Sequence, residues 1–345
     1  MPDSRGSIRS ACCKLYAMLM RAAFTLLATI PLALAQDALP SLPYKAVPAW
    51  PQLPTGWNFK ETPAVAVDAN DHVYVIHRGE HPVMEFDAAG KFIRAFGDGL
   101  YDRPHAVRID PEGNIWTVDD LSHTILKLDK SGRVKMVLGR WRVSSDAPSA
   151  MAPIWPRPGT GPRGLRDGDI ARFNRPTDIA FAPDGGLFVA DGYGNSRIVK
   201  LSKDGKLIKT WGKKGLGEGE FDTPHSIAID KQGRVYVADR ENYRIQIFDS
   251  EGRFLKQWTH IGAPWGLDLA RDGFLYMADG YNNRVLKLDL DGKILGAFGA
   301  PGKAPGEFSF VHHLAVSSSG AVYTAEILNW RPQKFIPAQP TRSTP

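Results

Sequence analysis

Nine histidines are spread over the 345 residues, and three of them stand at the same place in a repeated pattern. The slot opens a short apolar run and reads Pro104-His105, Pro224-His225 and Val311-His312. In repeat order it holds Pro63, His105, Thr177, His225, Trp265 and His312, so the histidines are alternate members. If the repeats close into a six-fold ring, alternate members stand about 120° apart and three imidazoles face one axis. Three neutral imidazoles at about 2.0–2.1 Å, with a fourth position open, suit catalytic zinc rather than a closed structural site. The competing reading is three unrelated histidines, each satisfied by its own hydrogen bonds. His77, His81, His123, His260 and His313 do not share the slot and are left out of the ligand set.

Hairpin geometry adds a second set. In an antiparallel pair the start of one strand lies beside the end of the next. Residues just after each second strand therefore rim the same mouth as the histidines. Arg78 stands there in the first repeat, Tyr193 in the third and Arg240 in the fourth. Two guanidiniums can hold a carboxylate bidentately. A phenol near a guanidinium and a metal has its ionised form favoured and can serve as a base. Two blander readings stand beside these. The fifth repeat also carries a tyrosine, Tyr281, at that place, and surface ion pairing would account for both arginines.

The elements that must position these residues are legible as repeats. Phe173–Gly212, Phe221–Trp258 and Ile261–Gly299 align throughout; earlier copies cover Phe59–Gly97 and Tyr101–Gly139, and a shorter sixth covers Phe308–Pro337. Each alternates apolar and polar residues over four short segments separated by turns such as Asp110–Gly113. The pattern predicts an all-β fold, a six-bladed β-propeller of four-stranded blades. The sixth repeat stops after three strands, so an N-terminal strand is expected to close the ring, with Pro51–Trp57 as the expected segment. The V-A-D ends at Asp191, Asp239 and Asp279, with Arg197, Arg244 and Arg284 after them, read as surface ion pairs and turn caps within each blade. Gly212–Gly219 lacks the Gly-Lys-Ser/Thr ending of a phosphate loop and reads as a connector. An insertion at 140–172, rich in Pro, Gly, Arg and Trp, reads as a surface loop between repeats two and three.

Residues 1–35 read as a cleaved secretory signal: a basic stretch ending at Arg21, an apolar run from Ala22, and Ala33-Leu34-Ala35 before Gln36. Residues 36–345 are then one propeller domain, secreted or periplasmic, with no membrane span left. Cys12 and Cys13 are the only cysteines and lie in the removed part, which excludes thiol chemistry and disulfides from the product. Without that segment the net charge falls from +6 to +3, too weak a balance to argue for nucleic acid or a membrane surface. A monomer acting on a small-molecule or peptide substrate is expected.

The repeat resembles the NHL repeat, and the chain as a whole resembles the lyase domain of peptidylglycine α-amidating enzymes. The segments that carry the second resemblance are Ile76-His77-Arg78-Gly79-Glu80-His81, Arg103-Pro104-His105, Pro176-Thr177-Asp178, Asp191-Gly192-Tyr193, Pro224-His225-Ser226 and Ala238-Asp239-Arg240-Glu241-Asn242. It implies that His105, His225 and His312 bind zinc, that Tyr193 and Arg78 serve the base step, and that Arg240 helps hold the substrate carboxylate. It also implies calcium held mainly by backbone oxygens, at Val65 and Val107. The implied reaction is cleavage of the N–Cα bond of a peptidyl-α-hydroxyglycine to an amide and glyoxylate.

Departures from the family pattern are local. Phe310-Val311-His312-His313 stands where the family reads Met-Pro-His-Asp, which removes a calcium-binding carboxylate and changes one wall of the site. Gly194 stands at the place of a family disulfide cysteine. The alternative function is a non-catalytic NHL-repeat propeller that binds a protein or carbohydrate, for which Trp141, Trp155 and Trp265 are a hint. A lactonase-like hydrolase ranks third, because the channel slot offers histidines and no acidic residue.

Overall fold

The structure, a computed structural model, describes residues 39–146 and 171–338. The expected signal segment, Trp155 and most of the 140–172 insertion lie outside them. Among the described residues no helix is long and apolar enough to cross a membrane.

Six four-stranded antiparallel sheets make up the propeller. Blade 1 runs from Ala64–Val67 to Phe92–Phe96, blade 2 from Pro104–Ile109 to Val134–Gly139, and blade 3 from Asp178–Phe181 to Leu207–Trp211. Blade 4 runs from Pro224–Ile229 to Phe254–Trp258 and blade 5 from Pro264–Leu269 to Ile294–Phe298. Blade 6 takes Val311–Val316, Val322–Glu326 and Arg331–Pro337 from the C-terminal end and Tyr44–Ala46 as its outer strand. The first three strands of a blade are largely buried because a neighbouring blade covers each face; the second strand Val235–Asp239 is buried at every residue. Outer strands are wet: Leu207–Trp211 is exposed over its first four residues. The core therefore lies between blades, as where Trp116, Val118 and Ile125 of blade 2 pack on Phe173, Ile179 and Val189 at blade 3. Tight turns join the strands. At Asp110–Gly113 the Gly113 N–H donates to Asp110 O at 2.8 Å, and Gly113 sits at φ 82°, where a glycine avoids the Cβ clash.

The ring closes with a different segment from Pro51–Trp57. Tyr44 pairs with Pro337, Lys45 with Ile336 and Ala46 with Phe335. Pro51 and Pro54 lack the N–H groups a ladder strand needs. Just before that stretch, buried Trp50 packs against Phe86 of blade 1 and Tyr323 of blade 6, with ring centroids 6.3 and 5.0 Å away.

The V-A-D carboxylates are buried rather than on the surface. Asp239 is fully buried and accepts from Arg244 Nε at 2.7 Å, Asn242 Nδ2 at 2.8 Å and the Asp222 N–H at 2.7 Å. The last bond matters most for the site, because Asp222 lies three residues before His225. Asp119 takes the N–H groups of Asp102 and Arg103 just before His105, and Glu326 takes Ser309 N–H before His312. Each carboxylate thus fixes the path by which the chain reaches the axis.

Blade 1 uses an imidazole for the same task. His77 replaces the carboxylate, and its Nδ1 accepts the N–H of Lys60, three residues before the slot residue Pro63. Its Nδ1 also accepts Gly79 N–H, while Nε2–H donates to His81 O. The role requires a neutral ring, and burial pushes the His77 pKa down to about 4. The unfolded chain takes up that proton near pH 6.5, so this residue removes stability as pH falls from about 6.5 to 4, by up to about 1.4 kcal/mol per unit. His77→Asn has no such titration. Its urea midpoint is expected below wild type at pH 7.5, with the gap closing by pH 5; a pH-independent gap would refute a neutral His77.

Candidate metal centre

The slot residues open the innermost strands, and four of the six sit in β-bulges. Pro104 pairs with Asp119 and Ala106 with Val118, which leaves His105 unpaired between them. His225, Trp265 and His312 are left out in the same way. A bulge re-aims its extra residue, and here it turns the side chain to the axis. The three imidazoles meet there, with ring centroids 4.9 Å apart for His105–His225, 4.8 Å for His105–His312 and 4.8 Å for His225–His312. One ligand nitrogen from each lies within 4.8 Å of the others, and all three residues are buried.

The intervening slots orient them. His105 Nδ1–H donates to Thr177 O at 2.6 Å, His225 Nδ1–H to Trp265 O at 2.6 Å, and His312 Nδ1–H to Pro63 O at 2.7 Å. Each acceptor is the slot carbonyl of the next blade. The bond sets the tautomer and leaves Nε2 as a lone pair aimed inward, the arrangement metal-ligating histidines use. Burial lowers the His105 pKa to about 4 and holds those of His225 and His312 well below the usual value, with Arg240 or Arg78 and the other imidazoles adding to it. Three neutral nitrogen donors converging on one axis suit a tetrahedral N-ligand ion.

Tyr193 reaches the same point. Its hydroxyl lies 3.1 Å from His105 Nε2 and 3.0 Å from His225 Nε2. Gly192 allows this, since a Cβ there would meet Pro224 O at 2.0 Å. The equivalent Tyr281 does not arrive. The slot of its own blade holds Trp265, whose ring covers Gly280, and the Tyr281 hydroxyl turns outward to donate to Glu241 at 3.1 Å. In blade 3 the slot residue is the small Thr177, which leaves the inward space free. Burial raises the Tyr193 pKa, against the lowering pull of Arg240 and Arg78. Burial therefore outweighs the pull of the arginines toward the phenolate.

The two arginines differ. Arg240 follows the buried Asp239, stacks on Trp265 at 4.6 Å, donates to Glu241 Oε1 at 2.8 Å and reaches the Tyr193 hydroxyl from Nη1 at 3.4 Å. Arg78 Nε reaches Pro104 O at 3.4 Å, and among the described residues no carboxylate lies within ion-pair distance of it. A cavity of 640 Å³ beside Arg78, lined also by Glu61, Arg103 and Pro104, opens outward. Neither arginine is a plain surface ion-pair residue.

One participant escaped the sequence reading. Asp120 occupies the rim position of blade 2, directly after Asp119, so the spacing that singled out Arg78 and Arg240 also marks it. It is fully buried, is clamped by Arg103 through Nε and Nη2, and takes Arg175 Nη2 at 3.3 Å. Arg175 lies 5.2 Å from the Tyr193 ring centre and Arg240 5.4 Å, so two guanidiniums flank the phenol.

Val65, one of the two expected calcium positions, lies beside charged side chains. Val65 and Val107 are buried on the inner strands of blades 1 and 2, but Val65 lines one cavity with Arg108 and Asp268. The Arg108 guanidinium already engages the buried Asp178 carboxylate there. His313 stands at the place of the expected aspartate. Trp265 is buried in its slot rather than displayed, while Trp141 is 42% exposed.

The NHL repeat family matches residues 173–201 and 221–248. The chain is 32% identical over 246 residues to peptidyl-glycine alpha-amidating monooxygenase A of Xenopus laevis, covering 61% of this chain and 24% of that protein. It is 30% identical over 187 residues to peptidyl-alpha-hydroxyglycine alpha-amidating lyase 1 of Drosophila melanogaster, covering 50% and 30%. It is 33% identical over 209 residues to NHL repeat-containing protein 3 of Mus musculus, covering 57% and 54%. It thus spans between a quarter and just over half of the length of these relatives. A solved streptogramin B lyase structure superposes with a TM-score of 0.56 at 15% identity, over 85% of this chain and 96% of that one, which shows the fold alone. The chain is therefore an NHL-repeat six-bladed propeller homologous to the peptidylglycine α-amidating enzymes and hydroxyglycine amidating lyases.

Proposed function

We propose that this protein is an exported zinc-dependent lyase that cleaves the N–Cα bond of a peptidyl-α-hydroxyglycine or a similar carbinolamide, releasing an amide and glyoxylate. The observation that carries the reading is a convergence at one point: three imidazoles held with Nε2 inward, the Tyr193 hydroxyl within 3.1 Å of two of them, and two guanidiniums at the same mouth. Its relationship to lyases named for this reaction supports it.

His105, His225 and His312 would hold the ion. Bound there, zinc supplies a Lewis acid that makes a hydroxyl at the open position more acidic. The substrate enters through the cavity beside Arg78, the guanidinium free to take its carboxylate, with Arg240 on the other side of Tyr193. Tyr193 Oη takes the proton of the substrate hydroxyl. As that oxygen forms the carbonyl of glyoxylate, the N–Cα bond breaks, its electron pair goes to the amide nitrogen, and that nitrogen takes the proton back from Tyr193 Oη. Arg175 and Arg240 beside the phenol favour the charged form of Tyr193 while it lacks the proton. Trp265 and the buried walls restrict water. The protein would act as a monomer, without nucleic acid or membrane partners.

The second reading is a non-catalytic propeller that binds a protein or carbohydrate partner. The likeness to NHL repeat-containing protein 3 and the exposed Tyr243, Tyr281, Leu328 and Trp330 after the second strands favour it. The lactonase-like reading loses ground, since the axial carboxylate Asp178 is engaged by Arg108.

Two measurements decide between these. Purified protein is expected to hold one zinc per chain, and cobalt in its place to give the visible bands of a tetrahedral site. His225→Ala should lose both; a wild type that stays metal-free after reconstitution would remove the mechanism. Glyoxylate release from benzoyl-α-hydroxyglycine should fall by roughly 10²–10⁴-fold in Tyr193→Phe with zinc content unchanged. Equal turnover by that variant, or none by the wild type, would favour the binding module.

A further inference from the structure

A second layer of side chains fills the axis, and the proposed chemistry does not use it. Arg108, on the inner strand of blade 2, grips Asp178 of blade 3 with both arms: Nε to Oδ1 at 3.0 Å and Nη2 to Oδ2 at 2.5 Å. Nη2 also reaches Leu267 O of blade 5 at 3.0 Å and Ser226 Oγ of blade 4 at 3.3 Å. Nη1 lies 3.8 Å from Asp268 Oδ1, again in blade 5. Ser226 Oγ–H donates to Asp178 Oδ2 at 2.6 Å and accepts Leu267 N–H at 3.0 Å. Asp178 and Ser226 are fully enclosed, and the Arg108 side chain is 12% exposed.

We propose that Arg108 is the built-in axial cation of this propeller: it joins blades 2 to 5, holds the histidine ring in register, and makes a calcium ion unnecessary. The buried Asp178 carboxylate and the partly exposed Asp268 carboxylate converge here, and a buried carboxylate requires a compensating positive charge. A guanidinium supplies one that is permanent, planar and bidentate. It is covalently part of the chain, so it does not exchange with solvent as an ion would.

The layer is tied to the ring by adjacency. Asp178 follows Thr177, whose carbonyl holds His105. Ser226 follows His225. Leu267 lies two residues after Trp265, whose carbonyl holds His225. Arg108 lies three residues after His105. Losing the guanidinium leaves the Asp178 charge with only the hydrogen bonds of Ser226 Oγ and the Ile179 and Ile227 N–H groups and with His313 Nε2 at 3.8 Å, and lets these inner strands shift, which moves the carbonyls that aim two imidazoles. Arg108 is thus a positioning residue, and the part of the inference that concerns zinc rests on the metal reading above.

The test is a calcium titration of the zinc-loaded protein, against an EGTA control, with melting temperature and zinc affinity by competition with a chromophoric chelator as readouts. Millimolar calcium is expected to leave both unchanged in wild type. Arg108→Gln should lower the melting temperature by roughly 5 °C or more and weaken zinc about 10–100-fold. Arg108→Lys, which keeps the charge and loses the fork, should recover part of each. A saturable rise of several degrees with calcium in wild type, or an Arg108→Gln protein with wild-type melting and zinc affinity, would overturn the proposal. If Arg108→Gln does not fold, the wild-type titration and Arg108→Lys still decide it. If wild type binds no zinc, the metal reading fails separately and the melting data still judge the axial cation.

Discussion

The buried carboxylate at the end of a blade's second strand is the interaction on which the site depends. In blade 4 it binds the arginine and asparagine that follow it and also an N–H of the chain approaching the axis. A carboxylate enclosed among apolar side chains is costly unless every lone pair finds a donor. Meeting that demand fixes the approach in one conformation. Three residues later the chain enters the bulge that aims the slot residue inward. The NHL-type repeat therefore does more than close a sheet: it delivers one side chain per blade to the axis. Blade 1 shows that the demand is for an acceptor rather than for charge, since a neutral imidazole, His77, meets it.

From that constraint the division of labour among slots follows. Histidine alternates with residues that contribute a carbonyl, and each carbonyl fixes the imidazole of the preceding blade. The size of the slot residue then decides what else reaches the centre. Thr177 leaves room for Tyr193, whereas Trp265 fills the corresponding space and sends Tyr281 outward. Two tyrosines at equivalent repeat positions thus have different surroundings because their neighbours differ in volume.

Much of the site was legible in the chain. The repeat count placed His105, His225 and His312 on one axis, and hairpin geometry brought Arg78, Tyr193 and Arg240 to one mouth. The same geometry pointed to Asp120, which is informative only once Arg103 and Arg175 are seen to fold around it. Asp191, Asp239 and Asp279 are buried although a charged residue after an apolar strand ordinarily faces water. The closing strand Tyr44–Ala46 lies ahead of Pro51–Trp57, whose prolines cannot donate to a ladder.

The sequence by itself determined the six-fold repeat, the strand periodicity and the identity of the axial residues, because these depend on local alternation and on which side chain stands at which step. Only the tertiary structure decided three further things. It chose Tyr44–Ala46 to complete blade 6, since pairing with Arg331–Pro337 depends on where the two ends of the ring meet. It separated Tyr193 from Tyr281 by packing volume. It put the Arg108 guanidinium between carboxylates of other blades. Each of these is a contact between residues tens to hundreds of positions apart, and no local pattern encodes which of them will touch.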